Sequence, residues 1–254
     1  MPRKRLDVLL VERGLAESRA QAQALVMAGR VRGHSKPGEQ VPEDLELEVE
    51  SPPPYVSRAG HKLANALDAF GIDVAGADAL DVGASTGGFS DVLLQRGARR
   101  VIALDVGYGQ LHSKIRDDPR VVVLERVNAR SLTELPFAPS LVTCDVSFIS
   151  VRLALPPALA LAAPGWQALV LVKPQFEAGR AETPKGVVRD PAVQRRVIAE
   201  VADALLASGA EPRGVVDSGL PGPKGNREFV LHLLHREHPE RPLDLDRWIA
   251  DAVS

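Results

Sequence analysis

From about residue 57 onward, short apolar runs alternate with stretches that carry apolar residues at helical spacing. The runs are "ADALDVGA", "RRVIALDVG", "RVVVLER", "LVTCDVSF", "QALVLVK", "EPRGVVDSG" and "EFVLHLLH". Helical patterns separate most of them, the longest being "RDPAVQRRVIAEVADALLASGA". Repeated strand–helix alternation implies a parallel sheet covered by helices on both faces. The last two runs are joined by too few residues for a crossover helix, which predicts a closing antiparallel hairpin. The predicted class is therefore α/β, with a seven-stranded, mostly parallel sheet.

The chain before residue 57 reads differently. "LDVLLVERGL" has helical spacing and stops at Gly14, and "ESRAQAQALVMAG" is a second helix with Ser18 as N-cap and Gly29 as stop. "RVRG", the polar turn "HSKPGEQ" and the alternating "LELEVE" read as short strands around a turn. Three consecutive prolines in "SPPPYVS" cannot sit in a helix and mark a stiff connection. The predicted domains are 1–50, a linker at 51–56, and 57–254.

Bulk properties narrow the function. Hydrophobic residues make up 45% of the 254 and charged residues 25%, ordinary for a globular chain. No apolar run is long enough for a membrane span. The N-terminal "MPRKRLDVLLVERG" is interrupted by Asp7, Glu12 and Arg13, so it reads as an amphipathic helix of a cytoplasmic protein, not a secretion signal. The single cysteine, Cys144, allows neither an internal disulfide nor a thiolate metal cluster. The net charge is −2, yet residues 1–40 hold eight Lys/Arg against four acids, a local basic face suited to phosphates.

The first block, "RLDVLLVERGLAESRAQAQALVMAGRV", resembles an S4 RNA-binding domain. The resemblance implies RNA contact through Arg3, Lys4, Arg5, Arg19, Arg30 and Arg32.

The turn "DVGASTGGFS" lies between the first strand and a helix. It spaces Gly83, Gly87 and Gly88 as G-x-x-x-G-G, unlike the G-x-G-x-x-G of dinucleotide folds, and no phosphate-binding G-x-x-x-x-G-K is present. Asp81 at the strand end repels phosphate and suits an ammonium group. Asp105 ends the next strand, where a carboxylate takes ribose hydroxyls, and Asn128 follows the third, where it can read an adenine edge. This set favours S-adenosylmethionine over NAD. The expected cofactor residues are Asp81, Gly83, Ser85, Thr86, Gly87, Gly88, Phe89, Asp105, Asn128 and Asp145.

The fourth strand ends "CDVSFIS", without the N/D-P-P-Y/F of many amino-group methyltransferases. Cys144 lies in an apolar strand and reads as core, which disfavours carbon methylation through a cysteine nucleophile. A hydroxyl acceptor remains. In order, "YVSRAGHKL", "DVGASTGGFS", "CDVSFIS", "LVKPQFEAG", "KGVVRD" and "KGNREF" behind the S4-like block resemble the TlyA family, historically called hemolysin A. That family joins an S4 domain to an FtsJ-like ribose 2'-O-methyltransferase of Rossmann-like fold. The resemblance implies a lysine–aspartate–lysine–glutamate tetrad at Lys62, Asp145, Lys173 and Glu228. It also implies ribosomal RNA, or a ribosomal subunit, as partner and cytidine ribose as acceptor.

The chemistry asks for such a set. A ribose hydroxyl is a poor nucleophile and needs a base or a lone-pair orienter within hydrogen-bond reach. A lysine acts as a base only when its pKa falls well below about 10.4, which two lysines in one pocket can do to each other. Lys173 is assigned as the activating residue, with Lys62, Asp145 and Glu228 positioning and tuning it. No metal is required. The polar loop "PQFEAGRAETPKGVVRD" offers Arg180, Lys185 and Arg189 to RNA phosphates, and Arg58 joins that set. Phe148 and Phe176 are the candidate stacking residues. Neither a membrane partner nor an obligatory protein partner is expected. The rival readings are an RNA-binding assembly protein without chemistry, a membrane-active haemolysin and, more distantly, an NAD-linked dehydrogenase.

Overall fold

The computed structural model describes residues 2–50 and 53–254. The chain divides into two units, Met1–Pro54 and Tyr55–Ser254. The linker expected at 51–56 falls partly on residues 51–52, outside the described residues. Its last two residues belong to the second unit: Tyr55 and Val56 pack against that unit's core, and Val56 N–H donates to Asp91 Oδ2 at 2.8 Å.

The first unit is built from β1 (Arg3–Arg5), α1 (Leu6–Glu12), α2 (Arg19–Met27) and β2 (Gln40–Pro42). Ser18 Oγ accepts the Gln21 N–H and caps α2, while Gly14 and Gly29 take left-handed conformations just past the two helices. Leu6, Leu9, Leu10, Ala22 and Val26 close the core with Val31 and Val41. The strand predictions here need correction. "RVRG" and "LELEVE" meet only at one bridge, Val31–Val49, and the two-stranded sheet forms instead between Arg3–Arg5 and Gln40–Pro42. The basic stretch before α1 is thus strand, not helix. Asp7 explains it: fully buried, it takes Arg5 through two hydrogen bonds and also holds Arg19 and Gln23. The Arg5 hydrogen bond in particular keeps its carboxyl well below the usual range.

The second unit is a seven-stranded sheet with helices on both faces. In chain order it runs α3 (Ala59–Phe70), β3 (Asp78–Val82), α4 (Gly88–Gln95), β4 (Arg100–Asp105), α5 (Ser113–Arg116), β5 (Val121–Glu125) and β6 (Leu141–Cys144). Then follow α6 (Val151–Ala154), α7 (Pro156–Ala160), β7 (Gln167–Val172), α8 (Pro174–Glu177), α9 (Pro191–Leu206), β8 (Ala210–Asp217), β9 (Phe229–His235) and α10 (Leu245–Val253). The strand order is β5-β4-β3-β6-β7-β9-β8. The first five strands are parallel, and β9 runs antiparallel between β7 and β8, which is the predicted closing hairpin.

Strand side chains alternate between two cores. Leu80, Val82, Val142, Val170 and Phe229 join one core with residues of α6, α7, α9 and α10, whereas Ala79, Val101, Leu169 and Val230 join the other with residues of α3 and α4. Every residue of β3 is buried, as a central parallel strand requires. The strand order reverses at β3, between β4 and β6, so a crevice opens at the carboxyl ends there. Asp81, Asp105, Asp145 and Lys173 are all delivered to that edge by the ends of four strands.

Candidate active site

The glycine turn is held from below. Asp81 is fully buried; its Oδ2 accepts Ser90 N–H at 2.9 Å and Ser90 Oγ–H at 2.7 Å, and its Oδ1 accepts Thr143 Oγ–H at 3.1 Å. The carboxyl ties β3, β6 and the first turn of α4 together. It is not among the residues lining either cavity, and three of its acceptor positions are taken within the fold. Burial pushes its pKa up to about 7, against the Ser90 hydrogen bonds and with help from the nearby Asp145 charge. Gly87 is likewise no lining residue. A Cβ there would stand 2.9 Å from Leu111 and 3.1 Å from Ile115, so its glycine serves the packing of α5.

Other turn residues do face open space. Gly83 has φ +85°, and a Cβ on it would lie 2.6 Å from the Asp145 carbonyl oxygen, so only glycine lets β3 and β6 approach here. Ser85 N–H donates to Asp105 Oδ2 at 2.7 Å, and Gly107 N–H to Oδ1 at 2.6 Å. A cleft of about 470 Å³ runs along this edge, lined by Gly83, Ser85, Asp105, Asn128, Asp145 and Phe148 among others. Asn128 Oδ1 caps the turn at Ala129–Ser131, leaving its amide NH₂ for a ligand. The volume lies in the range of small-molecule sites. A neighbouring cavity of about 430 Å³ beyond Val127 has Glu134 as its one charged lining residue and no convergent polar set. A smaller one, about 130 Å³, continues the cleft past Asp145 to Ser57, Thr86, Gly88, Phe89 and Lys173.

The four residues of the expected tetrad form two ion pairs. Lys173 Nζ lies 2.6 Å from Asp145 Oδ1 and donates to Ser147 Oγ at 2.8 Å. Lys62 Nζ lies 2.5 Å from Glu228 Oε2, with Lys62 11% and Glu228 1% exposed at the side chain. The lysines do not share one pocket, as the sequence suggested. Lys173 lines the small cavity, and Lys62 lines an adjoining one with Arg58, Leu220, Pro221 and Gly222; Ser57 and Ala59 line both. Each lysine is held by its own carboxylate, because α3 and β9 bring one pair together while β6 and β7 bring the other. Gly222 closes over Glu228: a Cβ there would be 2.0 Å from Oε1.

The segment after β6 sets the rim. Glu177 accepts Ser150 Oγ–H and Val151 N–H, each at 2.6 Å, which pins the start of α6. Phe148 sits between that clamp and Asp145 with φ +65° and is 91% exposed. Its ring lies 5.0 Å from that of the half-buried Phe176, which itself lies 5.9 Å from Lys173 Nζ. Core packing is excluded for Phe148. Cys144, one residue before Asp145, is fully buried, and burial pushes its thiol well above the usual range, so it is no nucleophile.

The basic residues are tethered but open. Lys4 pairs with Glu12 and Arg32 with Glu48, while Arg3 donates to the Gln40 carbonyl. Arg5 and Arg19 bracket Asp7 with 44% and 57% of their side chains exposed. Arg30 is half-buried, and its carbonyl accepts Glu50 N–H. In the second unit Lys185 and Arg189 are exposed beside one another. Ser57 and Ser147 line the small cavity beside Lys173 and were not among the expected site residues, although they stand in the stretches "YVSRAGHKL" and "CDVSFIS".

Residues 55–234 match the model of the FtsJ-like methyltransferase family, and residues 4–32 match the S4 domain. The chain belongs to the TlyA family of FtsJ-like methyltransferases. It is 47% identical to the 16S/23S rRNA (cytidine-2'-O)-methyltransferase TlyA of Mycobacterium tuberculosis, over 99% of this chain and 96% of that one. It is 48% identical to YqxC of Bacillus subtilis, described as a candidate rRNA methyltransferase, over 91% of this chain and 85% of that one. Among solved structures it resembles a candidate hemolysin from Streptococcus thermophilus, with TM-score 0.76 and 40% identity over 99% and 96% of the two chains. As a TlyA-family member the chain is a methyltransferase of mixed, mostly parallel sheet preceded by an S4 domain. Among the described residues no helix is long and apolar enough to cross a membrane.

Proposed function

We propose that the protein methylates the 2'-hydroxyl of a cytidine ribose in ribosomal RNA, in the cytoplasm, using S-adenosylmethionine. The observation that carries this reading is the pair of lysine–carboxylate contacts at the carboxyl edge of the sheet, beside a nucleoside-sized cleft. The names of the relatives support the acceptor and the RNA. The cofactor fits the residues present: Asp105 faces the cleft where ribose hydroxyls would be held, and Asn128 offers an amide to an adenine edge. Bound there, it supplies an electrophilic methyl group.

Lys173 has three N–H directions, of which one goes to Ser147, while its charge is paired with Asp145 at 2.6 Å. Another engages the incoming hydroxyl. Asp145, 2.6 Å from Nζ, is the carboxylate within reach of the released proton. Lys62 and Glu228 form the opposite wall and fix the ribose. Phe148, fully presented with Phe176 behind it, stacks a base of the RNA, as aromatic residues do with unstacked nucleotides. Arg3, Lys4, Arg5, Arg19, Arg30 and Arg32 of the S4 domain, with Arg58, Lys185 and Arg189, hold phosphates. Coupling of RNA docking to cofactor binding through the linker expected at 51–56 belongs to the same proposal.

The test is transfer of labelled methyl from S-adenosylmethionine to purified ribosomal RNA and to intact subunits, followed by nucleoside analysis. Label is expected in a 2'-O-methyl nucleoside, falling about a hundredfold or more in Lys173→Ala. Label on a base would overturn the acceptor, and no transfer to any RNA with the cofactor still bound would point to an assembly role.

A further inference from the structure

Two turns of the second unit carry the same three residues in the same uncommon shape. Pro184-Lys185-Gly186 precedes α9, and Pro223-Lys224-Gly225 precedes β9. In each, the lysine takes a left-handed conformation, φ +56° at Lys185 and +62° at Lys224, and the glycine after it has φ +78°. Glycine or asparagine adopts that conformation at less cost than lysine. Of the three other described non-glycine residues with positive φ, Ser85 and Phe148 line the cleft, so strain of this kind marks working parts of the molecule.

The two turns are stitched together. Asn226, 2% exposed, accepts Val188 N–H through Oδ1 and donates through Nδ2 to the Gly186 carbonyl, each at 3.0 Å. Lys224 Nζ donates to the Lys185 carbonyl at 3.3 Å, and a Cβ on Gly186 would stand 3.4 Å from that ammonium. The bond uses one of three N–H directions and leaves the charge uncompensated. Both lysines are exposed, and neither is paired with a carboxylate among the described residues. The acids flanking them in the chain are committed elsewhere: Glu182 holds Arg196, Asp190 caps α9 through Ala192 N–H, and Glu228 holds Lys62. Two neighbouring unpaired ammonium groups repel each other until an anion lies between them. An anion with two free oxygens can accept from both, which is the form of a phosphodiester. The loop that carries Lys224 also leads directly into Glu228, so such an anion lies beside the acceptor site.

We propose that Lys185 and Lys224 form one clamp for a single phosphodiester of the substrate RNA, with Asn226 as the positioning residue that keeps the two turns together. This deepens the RNA reading above, on which it rests, by adding Lys224 and by giving Lys185 a shared phosphate. The test is the affinity of the full chain for purified ribosomal RNA across a range of salt, in Lys185→Asn, Lys224→Asn and the double variant. Asparagine keeps the left-handed turn and removes the charge. The double variant is expected to bind about tenfold more weakly and to flatten the slope of log affinity against log salt by ~0.7, the share of one single-stranded phosphate, and not by the ~1.4 of two. Its melting temperature and its affinity for S-adenosylhomocysteine should not fall, and Lys224→Arg should retain RNA affinity. Asn226→Ala, with both lysines present, should flatten the slope as well while S-adenosylhomocysteine still binds. Unchanged RNA affinity in the double variant would overturn the clamp, and so would a slope loss of two phosphates. An unaltered slope in Asn226→Ala would overturn the positioning role. If the unaltered protein bound no ribosomal RNA, the RNA reading itself would fail, a result distinct from these.

Discussion

Asp81 and Asp145 end neighbouring strands, and their surroundings give them opposite tasks. Asp145 meets the cavities and a lysine; Asp81 is walled in and braces the turn. For Asp81 the linkage has a definite sign. Its folded pKa of about 7 lies above the unfolded value of roughly 4, so between those values the folded protein holds the extra proton. Stability from this group is fully present below pH ~4 and is lost as pH rises through about 7. Replacement by asparagine removes that slope. The melting temperature of ligand-free Asp81→Asn, relative to the unaltered protein, is therefore expected to rise between pH 5 and pH 8, and a difference independent of pH would count against the assignment. At this scale the sequence was legible only through motifs. Lys62, Asp145, Lys173 and Glu228 stand in stretches long enough to be matched, but which carboxylate looks outward depends on Ser90 and Thr143 filling the space around Asp81. A second consequence concerns Ser147. Loss of its hydroxyl frees Lys173 Nζ from one of its two holds, so Ser147→Ala should lower kcat about tenfold with little change in cofactor affinity, and Ser147→Thr should restore part of it.

The elements were legible where pattern and packing agree. Continuous apolar runs became the central strands because parallel strands buried on both faces tolerate little else. The first unit shows the opposite case. "LELEVE" alternates well, yet its neighbours give it one bridge, while Arg3–Arg5 pairs with Gln40–Pro42 because Asp7 draws Arg5 into place. Arg5 and Asp7 are only two residues apart, but Asp7 is also held by Arg19 and Gln23 of α2, and contacts of that length leave no local trace. The loop before β9 gives a sharper test of element geometry. Gly222 has an ordinary backbone conformation, φ −70°, so the obstacle to a side chain there is the Glu228 side chain, which it meets first. Gly222→Ala should break the Lys62–Glu228 pair and lower kcat by tenfold or more, while S-adenosylhomocysteine still binds in calorimetry. Unchanged turnover would show that this pair is not part of the chemistry.

At the scale of the molecule, two separate cores serve two units of unequal size. About fifty residues bury limited apolar surface, and the first unit leans on the charged cluster around Asp7. Its contribution is present above the unfolded carboxylate value of roughly 4 and is lost as pH falls through the lower folded value. Calorimetry should thus show two unfolding transitions. Asp7→Asn should lower only the first, and S-adenosylhomocysteine should raise only the second; one transition moved by both changes would mean that the units fold together. The buried thiol has a further use. With Cys144 the single cysteine and sealed in a central strand, thiol-directed dyes and spin labels have nothing to react with in the folded protein. The chain is a blank background for spectroscopy, and a cysteine in place of an exposed rim residue would report RNA arrival from a single known point.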